Sequence, residues 1–267
     1  MFKSVRDVLQ ENITNMYRTI AISKYETIAE IKDSKLGIFW NFASPAIQVF
    51  TYWFVFGYVF NRKAVDGIPY IAWLLAGMSV WFFISPCITK GCSAIHSKSD
   101  IITKMKFPIS ILPLSVVFKE LFEHACFMCI VVVILAIFGY YPSIHWLGLI
   151  YYLICAIIFA FAISLTTSVL TMLARDAKKL ITSCMRLLLY FTPILWNVKM
   201  LPGWMQKVVS CNPIYYIVQG YRDCFFYHKG INNYNWSQAW YVCLTIVLFF
   251  FGSHMMCKFK SKFIDMI

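Results

Sequence analysis

The sequence predicts an all-α integral membrane protein with six transmembrane helices, an N-terminal interfacial amphipathic helix, and outer re-entrant helices between spans five and six. Of its 267 residues, 60% are hydrophobic and only 13% are charged, a balance that is not typical of a soluble surface. The stretch from His124 to Ala174 runs for fifty-one residues without Asp, Glu, Lys or Arg. One helix of that length would measure about 75 Å, against roughly 30 Å for a hydrocarbon core, so the chain must fold back. Gly139 to Ser143 contains the Gly and Pro that favour a turn there.

Residues 1–35 precede the first long apolar run. Apolar residues recur in this segment at spacings of three and four among Lys, Arg, Asp and Glu. The pattern predicts an amphipathic helix that lies in the cytoplasmic membrane interface and is too polar to span the bilayer. Packing of the same helix on a soluble partner is the alternative interpretation.

Residues 36–267 form the predicted transmembrane domain, in which runs of spanning length are almost free of charge. The six predicted spans cover about 36–61, 67–89, 115–139, 144–173, 180–198 and 236–257. The polar residues 91–106 predict a short helix, a break and a re-entry before span three. Residues 199–235 are too polar to cross and too apolar to float free, so they predict two short helices in the outer leaflet, separated at Cys211-Asn212-Pro213.

The distribution of Lys and Arg predicts the orientation. Sixteen lie in connections on one side and six on the other, while Lys119 and Arg186 fall within spans, which accounts for all twenty-four. The excess marks the cytoplasmic side, so both termini are predicted to be cytoplasmic in a multi-pass protein of a bacterial plasma membrane. Topology and anionic lipid headgroups explain the net charge of +12 better than nucleic acid does.

Enzymatic and metal-binding motifs are weak. The chain has no GxxxxGK[ST] sequence, so it does not bind ATP through a P-loop of its own. Its five histidines are scattered without metal-ligand spacing. Most of the ten cysteines fall in apolar runs as small core residues, although Cys211 and Cys224 share one outer connection, where a bridge is possible.

Lys119, Glu120, Glu123 and His124 form the one dense ionisable group within a predicted span. Lys119 and Glu123 are four residues apart, as are Glu120 and His124, so pairing within the helix is the simplest expectation. A lining for an anionic headgroup and a proton relay are the alternatives, because charges at this depth often serve function.

Several stretches together resemble the membrane subunits of ABC-2 type exporters that move lipid-linked polysaccharides. These are Ser34 to Trp40 with Pro45, Lys106 to Pro113, Ala174 to Asp176, Thr192 to Trp196, and Asn212-Pro213 with Tyr221-Arg222. Within that family the chain looks most similar to the teichoic acid translocation permeases, through Met105 to Pro113, Arg186 to Trp196 and Asn212 to His228. O-antigen and capsular polysaccharide exporters share the same skeleton and remain the alternative.

The resemblance implies a homodimer joined to two copies of a separate ATP-binding subunit. ATP and Mg would bind to that subunit and no cofactor to this chain, which would be a transporter permease and not an enzyme. The substrate would be wall teichoic acid linked to undecaprenyl diphosphate, drawn in by basic residues such as Lys24, Lys35, Lys104 and Lys106. Residues 91–106 and the N-terminal helix would meet the ATPase.

Three groups of site residues follow from this hypothesis. Residues expected to couple to the ATPase are Lys98, Asp100, Lys104, Lys106, Arg175 and Asp176. Aromatic residues expected to line a channel between spans one and five of two copies are Phe39, Trp40, Trp53 and Tyr190. Residues expected at an outer gate are Trp204, Tyr215, Tyr216, Tyr221 and Arg222.

Two other classes of protein are weighed against this one. A membrane enzyme acting on a lipid-linked sugar would need an acid or base near a headgroup, and Glu120 with His124 is the one plausible pair. A secondary transporter would show inverted repeats and broken helices near the midplane, and neither is evident in the sequence.

Overall fold

The computed structural model describes residues 2–33, 37–104, 107–229, 231, 235–260 and 263. The described chain is helical apart from loops and a two-stranded hairpin. Its helices are α1 Phe2–Thr14, α2 Met16–Asp33, α3 Gly37–Tyr52, α4 Tyr70–Gly91, α5 Ser99–Lys104, α6 Ile111–Ile137, α7 Gly148–Leu173, α8 Ala177–Phe191, α9 Gly203–Ser210, α10 Pro213–Phe225 and α11 Asn235–Phe259. A π-helical segment, Trp53–Val59, continues α3, and the hairpin pairs β1 Ala64–Val65 with β2 Ile68–Pro69.

Four of the described helical segments are long and apolar enough to cross a membrane. They are Tyr70–Gly91, Ile111–Ile137, Ile144–Leu173 and Trp236–Phe259, which match predicted spans two, three, four and six. The turn predicted between spans three and four is present, and Gly139 adopts the positive φ of 87° that favours glycine. Span three begins at Ile111, four residues earlier than predicted, because Pro113 fits in the first turn of a helix, where its missing N–H is not needed.

Predicted spans one and five are shorter helices. The α3 helix has sixteen residues and its π-helical continuation has seven, with part of the predicted span lying outside the described residues. The α8 helix has fifteen residues, or about 22 Å, which is less than the hydrocarbon thickness. A count of six spans therefore stays a prediction.

The N-terminal segment forms two helices where the sequence predicted one. The break lies at Asn15, whose side chain donates a 2.8 Å hydrogen bond to the carbonyl of Glu11. Such bonds from Asn compete with regular helix geometry. The α2 helix turns its small polar residues Thr19 and Ser23 inward against α6 and leaves Tyr17 exposed. Its placement in the membrane interface stays a prediction.

The α4 helix lies at the centre of the core and packs against α6, α7 and α10. Sixteen of its residues are buried. Small polar side chains join neighbouring helices: Ser164 Oγ donates to the Cys87 carbonyl at 2.7 Å, and Thr166 Oγ1 donates to the Leu248 carbonyl at 2.9 Å. Close packing through small residues and interhelical hydrogen bonds is typical of helices in lipid.

Candidate functional site

The charged cluster of α6 is joined to other helices. Lys119 forms an ion pair with Glu30 of α2, and Lys90 Nζ of α4 lies 2.7 Å from Glu120 Oε1. The pairs expected within α6, Lys119 with Glu123 and Glu120 with His124, are therefore not the ion pairs that form. Lys119 and Glu120 are paired with opposite charges on the adjacent helices. Those partners are distant in the sequence and come close only through helix packing.

A further pair ties α2 to the connection after α4. Lys98 Nζ, in that connection, lies 2.7 Å from Glu26 Oε1. Ser23 Oγ of α2 also donates a 2.8 Å hydrogen bond to the Ser115 carbonyl of α6. We call Glu26–Lys98, Glu30–Lys119 and Lys90–Glu120 the ionic seam. The seam links the N-terminal helices to one end of the helical bundle.

Glu30 is ionised more readily than an isolated carboxyl group. Partial burial by itself raises the pKa of Glu30, but the hydrogen bond from Lys119 and the positive charges of Lys90 and Lys119 outweigh it and lower the pKa below its usual value. The carboxylate form thus persists at neutral pH and keeps the seam charged.

The two segments predicted to couple to an ATPase lie side by side. A cavity of about 150 Å³ is lined by Ser93 and His96 from one segment and by Thr171, Met172, Arg175 and Lys178 from the other. Asp176 is exposed and pairs with Lys179 at 3.3 Å. Asp100 lies in the first turn of α5. Lys35 and Lys106, and the side chain of Lys104, fall outside the described residues.

Three of the four predicted channel residues are exposed on a single copy. Phe39, Trp40 and Tyr190 expose between 50% and 58% of their surface, and Trp53 is half-buried. An exposed ladder of stacked rings, Phe50, Phe54 and Tyr58, continues this aromatic surface along α3 and its π-helical segment. The side chains of Tyr52 and Tyr190 lie close together, which places this surface beside α8. The arrangement suits a face covered by a second copy, and the channel role stays a prediction.

The predicted outer segment forms two short helices, α9 and α10, as expected. Asn212 separates them and caps α10, because its Oδ1 accepts from the N–H of Ile214 at 2.9 Å while its Nδ2 donates to Thr192 Oγ1 at 2.8 Å. Pro213 occupies the first turn, where proline is favoured. The re-entrant placement of these helices in a membrane stays a prediction.

Three of the five predicted gate residues lie in the protein interior. Tyr216, Tyr221 and Arg222 are exposed by only 1–2%, whereas Trp204 is 66% exposed and Tyr215 is partly exposed. All five were expected at an outer gate because the segment is amphipathic. The structure instead packs α10 against α4 and α7, and eleven of its thirteen residues are buried.

Arg222 organises the loop that follows α8. Its Nη1 donates to the Pro193 carbonyl at 2.7 Å and its Nη2 to the Ile194 carbonyl at 2.8 Å. The guanidinium carbon lies 3.3 Å from the centre of the Trp73 ring. A Cβ on Gly77 would approach Arg222 Nη2 to 2.5 Å, so only glycine leaves room for the guanidinium group.

The acid and base of the enzyme alternative have structural partners. His124 Nε2 lies 3.2 Å from the hydroxyl of Tyr221, and Glu120 is held by Lys90. Across the described part of the chain, no group of three His, Cys, Asp or Glu residues is placed to hold a metal ion. These contacts account for His124 and Glu120 without a bound substrate.

The bridge that the sequence left possible between Cys211 and Cys224 is not formed. None of the ten cysteines, each of which is a described residue, forms a disulfide. Cys211 precedes α10 and Cys224 lies in its last turn, so the helix separates them by about 18 Å. A disulfide needs Cα atoms within about 7 Å.

A polar cavity of about 210 Å³ opens between the hairpin and α10. At its rim, Lys199 Nζ lies 2.9 Å from Asp66 Oδ2, to which the hydroxyl of Tyr227 donates at 3.0 Å. The hydrogen bond from Lys199 lowers the pKa of Asp66, and partial burial opposes this without reversing it. The rim carboxylate is therefore ionised over most of the pH range.

The comparisons with known proteins agree with the resemblance seen in the sequence. Two O-antigen export system permease proteins RfbA of Klebsiella pneumoniae are 28% and 27% identical over 252 residues, covering 93% of this chain and 94% of each relative. The RfbA protein of Myxococcus xanthus is 24% identical over 233 residues, with 86% of each chain covered. The model of the family described as ABC-2 type transporter matches residues 17–226. Since that match covers most of the chain, this multi-pass membrane protein belongs to the ABC-2 type transporter family.

Proposed function

We propose that this chain is the permease subunit of an ATP-driven exporter that moves a lipid-linked polysaccharide of the O-antigen kind across the bacterial cytoplasmic membrane. The observation that carries the proposal is the nearly end-to-end similarity to three permeases named for O-antigen export. Teichoic acid export, the first prediction from the sequence, rests on a skeleton that both kinds of exporter share. The relatives favour the O-antigen alternative over it.

The work is supplied by a separate ATP-binding subunit in this proposal. The sequence contains no P-loop of its own, and the family takes its name from ABC transporters. Residues 91–106, with Arg175 and Asp176, form the surface for that subunit. The ionic seam then conveys its movement, because Lys98 of this surface pairs with Glu26 of α2, and α2 in turn pairs with α6 through Glu30 and Lys119.

The polymer passes between two copies of the chain. Each copy contributes the aromatic surface that includes Phe39, Trp40, Phe54 and Tyr190, which stands exposed on a single protomer. Flat rings offer apolar contact to sugar rings without fixing one of them, which suits a polymer that must slide. An undecaprenyl-diphosphate group reaches this path from the cytoplasmic leaflet, attracted by basic residues such as Lys24, which is exposed on α2.

Reconstitution tests the proposal. The chain is purified with its ATP-binding subunit, placed in proteoliposomes, and supplied with undecaprenyl-diphosphate-linked O-polysaccharide or with the corresponding poly(glycerol phosphate) polymer. We expect ATP-dependent transfer of the O-polysaccharide to the opposite leaflet, read by its accessibility to an added glycosidase. The matched control is a partner subunit whose P-loop lysine is replaced. Transfer of poly(glycerol phosphate) alone would restore the teichoic acid hypothesis, and modification of the polymer by the purified chain alone would favour an enzyme.

A further inference from the structure

Two adjoining cavities form a cleft beside the outer segment. The polar cavity of about 210 Å³ and a larger one of about 570 Å³ share Val198, Tyr215 and Gln219 in their walls. We call the two together the outer cleft. Its size falls in the range of pockets that enclose small organic ligands.

The polar half of the outer cleft carries charges of both signs. Its wall includes the carboxyl groups of Asp66 and Asp223 and the cationic groups of Lys199, Arg222 and Lys229. Gln219 Nε2 donates to Asp223 Oδ1 at 3.0 Å, which fixes the amide at the junction of the two cavities. Mixed donors and acceptors of this kind match hydroxyl groups. The two carboxylates offset two of the three cations, so the five groups carry a net charge of only +1 to attract a phosphate.

The larger half of the outer cleft is built from ring faces and short polar side chains. Tyr215, Tyr216 and Trp236 contribute aromatic surface, and Gln206 and Ser237 contribute amide and hydroxyl groups. Sugars present apolar C–H faces edged with hydroxyls, so a wall of rings flanked by amides is complementary to them. Tyr and Trp offer such a surface because each combines an apolar ring with a polar group.

We infer that the outer cleft binds one or two neutral sugar residues, of the hexose or N-acetylhexosamine class. The inference rests on the proposed function, in which the polymer leaves on the side where the positive-inside rule places this cleft. Tyr215 stacks on the sugar, and Gln219 donates or accepts a hydrogen bond at the junction. A site of this kind holds the emerging polymer briefly and opposes its return.

Saturation-transfer NMR of the purified permease in nanodiscs tests the site. The probes are glucose, galactose, rhamnose and N-acetylglucosamine, with glycerol 3-phosphate as the anionic comparison. We expect at least one sugar to bind and glycerol 3-phosphate not to bind. Tyr215→Ala and Gln219→Ala each weaken sugar binding at least fivefold, since each removes a contact of about 1 kcal/mol. Tyr215→Phe keeps the ring and stays within about twofold of the parent chain.

Tyr141→Ala is the matched control. Tyr141 is an exposed tyrosine in the turn between α6 and α7 and lies outside the lining of both cavities. Binding of no sugar by a permease that still exports in proteoliposomes would overturn the inference and leave the proposed function standing. Equal loss in Tyr141→Ala, or preference for glycerol 3-phosphate, would also overturn it. Sugar binding by a chain that exports no polysaccharide would reject the proposed function instead.

Discussion

Replacement of Arg222 by Leu should destabilise the protein strongly. The guanidinium group donates to two carbonyls, of Pro193 and Ile194, and both would lose their partner. A hydrogen bond to a charged group contributes about 1.5–3 kcal/mol, so two give about 3–6 kcal/mol. Leucine does not carry the desolvation cost of a buried cation, and this difference offsets part of the lost hydrogen-bond energy. We expect a net loss of about 2–4 kcal/mol.

The buried cysteines provide the assay. Cys224, two residues from Arg222 in α10, is buried, as are three other cysteines, whereas four cysteines are exposed. Labelling by a thiol-reactive dye above the baseline of the exposed cysteines therefore reports unfolding as the detergent-purified protein is heated. Arg222→Leu should lower the midpoint of dye labelling by several degrees. Arg62→Leu is the matched control, because the hydrogen bond from Arg62 Nη1 to the Leu195 carbonyl is long, at 3.5 Å, and therefore weak. Its effect should be less than about 1 kcal/mol.

A double-mutant cycle with Gly77 decides whether the fit around Arg222 is the cause. Gly77→Ala forces the guanidinium group to move, because the new Cβ meets Nη2 at 2.5 Å. In the Arg222→Leu background the same substitution should cost much less. Strictly additive effects, or an Arg222→Leu protein as stable as the parent, would refute the reasoning.

Three further predictions follow from the seam, the rim and the cysteines. Lys119→Glu should uncouple ATP turnover from transport, because it places two carboxylates together where Lys119 and Glu30 form an ion pair. Adding Glu30→Lys should restore the pair and the coupling in proteoliposomes. Because the pKa of Asp66 is lowered in the folded protein, its pair with Lys199 stabilises the fold fully above the usual pKa of Asp, near 4. This stabilisation should disappear as the pH falls through the lowered pKa. Asp66→Asn should remove that pH dependence from thermal unfolding curves. Ten alkylated cysteines should appear in the mass spectrum of the protein unfolded without reductant, and eight would contradict the absence of disulfides in the structure.

The sequence was sufficient for the features that depend on local pattern. Long apolar runs with few or no charges located the four helices of membrane length, and Gly139 located the turn between two of them. Short motifs such as Asn212-Pro213 indicated the family and the break between α9 and α10. Such features could be predicted because a span, a cap or a turn is determined by residues within a few positions of each other.

The partners of the polar residues were decided by the tertiary structure alone. Lys119 has a carboxylate four residues away on its own helix, yet it pairs with Glu30 from α2. Arg222 lies in an amphipathic helix that suggested a surface gate, yet it is buried on carbonyls about thirty positions earlier in the chain. The outer cleft joins the hairpin after α3 to α10 and the start of α11. Helix packing sets which distant side chains meet, and periodicity along one helix carries no information about the neighbour that will cover it.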